Sequence, residues 1–174
     1  MTEKLQDKEK ELLKILETLG ISWKRYEHPP VFTLFEARKY WEETTGAHCK
    51  NLFLRNYKGN HHYLVIIEAG KNVDLKKLTN FLNEDRLSFA SAERLERYLG
   101  VTAGSVSPFA LINDVKKEVI VLVDQDLLGF SSLNFHPNVN TATLEISQTD
   151  FQKFLKWTGQ KIIYMKMETG PDHN

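Results

Sequence analysis

The chain has a single cysteine, Cys49, among 174 residues, so no internal disulfide can form and the composition suits a reducing compartment. It lacks any apolar run near the ~20 residues needed to cross a bilayer. Its first residues, Met-Thr-Glu-Lys-Leu-Gln-Asp-Lys, carry no secretory signal, and a cytoplasmic location with no membrane partner is expected. Neither charge is in excess: 23 Lys and Arg balance 23 Asp and Glu. That excludes a protein gripping nucleic acid by bulk charge and leaves room for a local basic surface. There is no Gly-x-Gly-x-x-Gly or P-loop pattern, no internal repeat and no linker. Histidine and cysteine come as adjacent pairs, His48-Cys49 and His61-His62, without zinc-ligand spacing. Neighbours in a strand point to opposite faces, so no metal and no cofactor are expected.

What is present is enough apolar content, 41%, for one proper core. Leu5, Leu12, Ile15, Leu16 and Leu19 recur at helical spacing ahead of Gly20, predicting an amphipathic helix over 5–19. A short strand over 21–27 follows and is broken by His28-Pro29-Pro30. Thr33 and Glu36 form a capping box for a helix running through Tyr40 and Trp41 to near Gly46. Strands over 50–57 and 61–68 join through Lys58-Gly59-Asn60, the second apolar on both faces and therefore central. Asp74, Ser91 and Ser147 cap three further helices, the last two closed by Gly100 and Gly159. Strands are expected over 109–112, 118–123, 131–135, 143–146 and 161–167, the first two as a hairpin turning at Asn113-Asp114. Hairpins with interspersed helices mean a mixed α/β domain, not a doubly wound one.

Lys50 is the anomaly. Strand parity places it on one side with Leu52 and Leu54, so a lysine opens the apolar register of a core strand. A charge there must be paired, reach solvent or face a cavity. A snorkelling strand-end lysine and a lysine at a pocket mouth both fit this pattern. Cys49 is a nucleophile only with a positioned base, for which His48 and His136 are candidates by type. The loop Gly104-Ser105-Val106-Ser107-Pro108 reads as a turn, or as a loop whose glycine admits a ligand to the backbone.

Taken together in this order, the motifs carry more. Gly46-x-His48-x-Lys50-Asn51-Leu52-Phe53-Leu54, Arg86-Leu87-Ser88-Phe89-Ala90, Gly104-x-x-x-Pro108 and Asn134-Phe135-His136-Pro137-x-x-Asn140 resemble the YbaK / prolyl-tRNA synthetase-associated domain family. Within it they are similar to the free-standing prolyl-tRNA deacylases of the ProXp-ala type. The resemblance covers residues 5–167, with Cys49 where that subgroup leads one to expect threonine. It implies a curled, mostly antiparallel central sheet surrounded by helices, over residues 1–168, with 169–174 a frayed tail.

The implied activity is hydrolysis of the ester in mischarged Ala-tRNA(Pro). By the same resemblance Lys50 is the essential lysine, Gly104 and Pro108 hold the terminal adenosine through backbone groups, and His136 lines the site with Asn140 nearby. No covalent nucleophile is implied; the tRNA's terminal 2′-hydroxyl helps activate the attacking water. Walls from the Leu52 face, Phe89 and the Gly104 loop are expected, with His48, Ser88 and Ser107 also at the substrate. Lys4, Lys8, Lys14 and Arg86 are the candidates for phosphate contact. Partners would be the misacylated acceptor end of tRNA(Pro), with prolyl-tRNA synthetase or an elongation factor. Editing of another amino acid (serine, threonine, cysteine or 2-aminobutyrate) and a non-catalytic tRNA- or synthetase-binding module are the alternatives.

Overall fold

The structure, a computed structural model, describes residues 2–168, with side chains from residue 7. The elements are α1 (Thr2–Thr18), β1 (Lys24–Glu27), α2 (Leu34–Arg38), β2 (Ala47–Asn56), β3 (His62–Glu68), α3 (Leu75–Phe81), β4 (Leu87–Phe89) and α4 (Ala92–Leu99). They continue with β5 (Val119–Asp124), β6 (Ser132–Phe135), β7 (Ala142–Ser147), α5 (Gln148–Thr158) and β8 (Ile162–Met165). The strands form one sheet in the order β1-β7-β6-β2-β3-β5-β8, with β4 added to β2. Among the described residues four pairings are antiparallel (β1·β7, β2·β3, β2·β4, β6·β7) and three parallel (β2·β6, β3·β5, β5·β8). The mixed α/β single domain expected from the sequence is therefore what forms. The tail expected over 169–174 lies outside the described residues.

Strand parity builds two cores. On one face of β2, Cys49 and Phe53 pack toward a large cluster with Leu12 and Leu16 of α1, Leu95 of α4, and Phe151 and Phe154 of α5. On the other, Leu52 and Leu54 pack with Tyr63, Val65, Leu78 and Leu87. Because β3 serves both, Leu64, Val65, Ile66 and Ile67 are fully buried. Each such side chain contributes roughly 1.5–3 kcal/mol. The caps work as their sequences dictate. Ser91 Oγ and Ser147 Oγ accept from the amides of Arg94 and Asp150, and Gly100 and Gly159 turn left-handed at the exits.

Three expectations are corrected. Residues 109–112 are not a strand: Pro108–Asn113 is a short 3-10 helix opened by proline and capped by Ser107 Oγ, which accepts from Phe109 N at 2.9 Å. Phe109, Ala110 and Leu111 are all fully buried, and a short run buried all round has no periodicity to tell strand from helix. The hairpin to residues 118–123 therefore does not exist, and β5 lies parallel to β3 and β8 instead. Helix α2 stops at Arg38, well short of Gly46, and turns carry the chain on. Strand β2 starts at Ala47, so Lys50 sits inside it and does not open it.

Gly46 makes that entry possible. It has φ +79°, and a Cβ there would come within 2.3 Å of the Ser132 carbonyl oxygen. A Gly46→Ala variant combines left-handed strain with a backbone clash and should lose roughly 2–4 kcal/mol. A thermal melt should show Tm lower by roughly 5–15 °C; an unchanged Tm would contradict the geometry.

Candidate active site

The site lies where two strands part. β2 pairs with β6 only through Ala47 and His48, opposite Leu133 and Asn134. Beyond them Pro137 cannot donate to a ladder and the chain turns away. The edge of β2 at Cys49, Lys50 and Asn51 is thereby left open. The loop at Val31–Leu34 and the short 3-10 turn Ala103–Ser105 close over it.

The result is a groove of about 210 Å³ lined by Lys50, Asn51, Gly104 and His136, among others. An inner chamber of about 50 Å³ adjoins it, lined by His28, Tyr40, Trp41, His48, Asn134 and Thr143. Cys49, Asn51 and His136 line both. Lys50 Nζ donates to Asn72 Oδ1 at 3.1 Å, and burial lowers its pKa from the ordinary lysine value. Among the described residues no carboxylate lines the groove with it. Gly104 lies against the opposite wall, where a Cβ would stand 3.3 Å from Asn140 Nδ2 and 3.4 Å from Phe32 Cδ1. Phe32 is 73% exposed beside the groove.

Hydrogen-bond partners fix the histidine tautomers. His136 Nδ1 lies 2.9 Å from the Ala142 carbonyl, which only accepts, so Nδ1 carries the proton and Nε2 keeps its lone pair. Burial, reinforced by neighbouring His28, keeps that ring neutral against the pull of Ala142. His28 donates from Nδ1 to the Pro29 carbonyl and accepts at Nε2 from Thr143. The Thr44 hydroxyl donates to the Trp41 carbonyl, so His48 Nε2 must donate to Thr44 Oγ1 at 2.6 Å. His48 also stacks flat on Trp41, centroids 4.1 Å apart. Burial brings its pKa down to about 4 despite the Glu145 carboxylate nearby.

Glu145 holds the turn that delivers β2 to the site. It accepts from Thr45 Oγ1 at 2.5 Å, Ser132 Oγ at 3.1 Å and Tyr26 OH at 3.1 Å. Burial pushes its pKa up, but these donors outweigh it and the net shift is downward. Cys49 is no nucleophile in this setting. Burial pushes its thiol far up, outweighing the Asn134 amide that would stabilise a thiolate.

This arrangement offers a cation, an exposed backbone at a glycine, a neutral imidazole acceptor and no activated protein nucleophile. Comparison with known proteins says what it serves. The profile of the aminoacyl-tRNA editing domain matches residues 28–154. The chain belongs to the aminoacyl-tRNA editing domain family. It is an aminoacyl-tRNA deacylase, a hydrolase.

Among its relatives, the prolyl-tRNA editing protein ProX of Acetoanaerobium sticklandii is 41% identical over 153 residues, 88% of this chain and 93% of that one. The prolyl-tRNA synthetase associated domain-containing protein 1 of Xenopus laevis is 35% identical over 166 residues, 93% and 98% of the two chains. A proline–tRNA ligase of Limosilactobacillus fermentum is 30% identical over 89 residues, half of this chain and 15% of the ligase. A solved structure described as a candidate trans-editing enzyme for prolyl tRNA synthetase shares the fold, with TM-score 0.70, 22% identity and 94% of this chain covered.

Against this editing domain the expected site residues divide. Lys50, Gly104 and His136 meet in the groove, and His48 lines the chamber. Asn140 stands behind Gly104. Pro108 and Ser107 are buried below the loop, starting and capping the 3-10 helix. Leu52, Ser88 and Phe89 line neither cavity. Phe89 pairs with Leu54, four residues along β2 from Lys50, ~13 Å at ~3.3 Å per residue. The expected walls at Leu52 and Phe89 are therefore replaced by the α2 region and Trp41. Leu52 shares the Lys50 face of β2 but lies two residues further along the strand, where that face is covered by the second core.

Of the phosphate candidates, Lys8 Nζ donates to the Gly100 carbonyl at 2.6 Å and ties α1 to the exit of α4. Lys14 is exposed on α1, and Arg86 is exposed at the β4 end of the sheet, away from the groove. The Lys4 side chain lies outside the described residues. Sequence reasoning missed Phe32, Trp41 and His28. The signal in His28-Pro29-Pro30 pointed only to a chain break, and the contact with His136, centroids 5.9 Å apart, is non-local.

The neutral histidines have a consequence for stability. His62, packed on Phe53 and Tyr98 and accepting from Arg94, is also lowered to about 4, by burial first and by nearby arginines. Both folded values lie below the ordinary ~6.5, so the unfolded chain binds more protons between these limits. Stability should be flat above pH ~6.5 and fall as pH drops toward about 4. Urea midpoints at pH 7.5, 5.5 and 4.5 should show this decline, with a shallower slope in His62→Phe; equal slopes would refute the assignment.

Proposed function

We propose that the substrate is mischarged Ala-tRNA(Pro), removed in trans. What carries this reading is the small chamber of about 50 Å³ beside the lysine groove. A synthetase site shaped for proline cannot strongly exclude alanine, because each missing methylene is worth only ~1–3 kcal/mol. A second site that admits alanine and is too small for the proline ring completes the discrimination. The ProX relative, named for prolyl-tRNA editing, supports the tRNA(Pro) assignment.

In this reading the terminal adenosine lies along Gly104, where the missing Cβ lets it approach the backbone, and Phe32 offers a stacking face. The ester carbonyl sits where groove and chamber meet. An aminoacyl ester is already activated, so positioning plus stabilisation of the developing oxyanion suffices. Lys50 supplies the positive charge, and its lowered pKa reflects a site dry enough to strengthen that interaction. His136 Nε2 accepts from the terminal 2′-hydroxyl or the attacking water and orients it. Prolyl-tRNA synthetase or an elongation factor would hand over the substrate, which fits a chain with no net charge to capture tRNA alone.

The test is deacylation of tRNA(Pro) carrying alanine, proline, serine, cysteine or 2-aminobutyrate. Alanine should be removed fastest and proline spared. Lys50→Ala should lose about 100–1000-fold in kcat, the scale of removing one oxyanion donor, with an unchanged melt. Hydrolysis of another residue in preference to alanine would reassign the substrate, and full activity in Lys50→Ala would overturn the role of the lysine.

A further inference from the structure

Two lysines meet at the turn that follows β3, and the fold treats them in opposite ways. Lys71, inside the turn, is fully paired. Its Nζ donates to Asp124 Oδ2 at 2.6 Å, to Asp126 Oδ2 and to the Met167 carbonyl at 3.0 Å, which commits all three hydrogens. Asp124 is completely buried at the end of β5, and its other oxygen accepts from the amides of Asp126 and Met167. The turn is therefore pinned to β5, to the 3-10 turn Gln125–Gly129 and to the chain leaving β8. The Lys71 amide closes it by donating to the Glu68 carbonyl at 3.0 Å.

The next residue is Asn72, whose Oδ1 accepts from Lys50 Nζ at 3.1 Å. An ammonium only donates, so the oxygen and not the amide nitrogen must face it. The carboxylates of the region are directed elsewhere. Asp124 and Asp126 hold Lys71, and Asp74 caps α3 by accepting from the Lys77 amide at 3.1 Å. Glu68 lies across from Cys49, on the opposite face of the sheet from Lys50. Burial lowers the Lys50 pKa, and no neighbouring carboxylate among the described residues raises it. A carboxylate at residue 72 would bond the ammonium more strongly and neutralise it. An amide fixes the ammonium and leaves its charge whole, with two hydrogens for a ligand in the groove that Lys50 lines.

We propose that Asn72 is a positioning residue: held in place through Lys71, it aims the Lys50 ammonium at the groove as an uncompensated charge. This rests on the proposed role of Lys50 in stabilising the developing oxyanion, and adds what holds the lysine ready. A lysine stem is flexible, and an unanchored ammonium would sample many positions. A charge stabilises a transition state best when it is already in place. The side chain of Asn72 separates position from neutralisation, which a carboxylate would join.

The test measures kcat and KM for Ala-tRNA(Pro) in Asn72→Ala and Asn72→Asp, together with the Lys50 ammonium signal in proton–nitrogen spectra of the full chain. That signal is identified by its absence in Lys50→Ala. Asn72→Ala should lower kcat by about 10–100-fold, the scale of a misplaced catalytic group. Its KM should stay within about threefold, and its Lys50 signal should shift or broaden. Asn72→Asp should keep Lys50 anchored and Tm unchanged or higher, and still lower kcat about tenfold or more, because the charge is neutralised. A role in folding alone predicts a lower Tm in Asn72→Ala and full activity in Asn72→Asp. Wild-type kcat in either variant, or an unmoved Lys50 signal in Asn72→Ala, overturns the proposal. If the wild-type protein leaves Ala-tRNA(Pro) intact, the substrate assignment falls, and the Lys50 signal in Asn72→Ala decides the positioning by itself.

Discussion

Everything at the site depends on how far β2 and β6 remain paired. The two strands share only Ala47 and His48 with Leu133 and Asn134, and Pro137, three residues further on, could not donate to a longer ladder. If the ladder continued, the open edge at Lys50 and Asn51 would be covered and there would be no groove. If it ended sooner, Asn134 could not reach the Thr45 and Ala47 carbonyls, and the turn into β2 would lose its anchor. Glu145 secures that same turn from the far side through Thr45 and Ser132. A buried carboxylate held by this many donors specifies one geometry, because any alternative leaves it unsatisfied.

The chemistry follows from what the opening admits. Neutral imidazoles, a desolvated lysine, a glycine without a side chain and a thiol held protonated make a poor site for covalent catalysis. They make a good one for holding a reactive ester in place. The family's reaction needs little more, since the substrate brings its own activated bond. Much of the polar machinery therefore acts on position: His28, Thr143 and Ala142 set the rings, and Thr44 and Trp41 set His48.

Much of this was legible in the sequence, where local chemistry decides the outcome. The capping residues Thr33, Asp74, Ser91 and Ser147 all act as read. The strand β3 was recognisable as central from its two apolar faces. Lys50, Gly104 and His136 were singled out and do meet. What failed was decided at a distance. Pro108–Asn113 is helical because its neighbours bury it on all sides, and the parallel pairing of β5 follows from that. Phe89 was placed at the substrate with the motif that carries the family resemblance, yet its strand joins β2 beyond the site. Asn51 and Asn134 could be quoted as motif residues, but only the folded chain shows that their oxygens are buried with no partner among the described residues.

The central claim is that the groove at Lys50 and the chamber behind it receive the aminoacylated 3′ end of tRNA. Its most direct test is a crystal structure with an RNA microhelix ending in a non-hydrolysable 3′-alanylamino adenosine. The account predicts the adenosine along Gly104, the carbonyl facing Lys50 and the alanyl group in the chamber between Asn51 and His136. An RNA end seated elsewhere, such as the apolar groove between Val73 and Glu168, with the lysine groove unchanged, would contradict it.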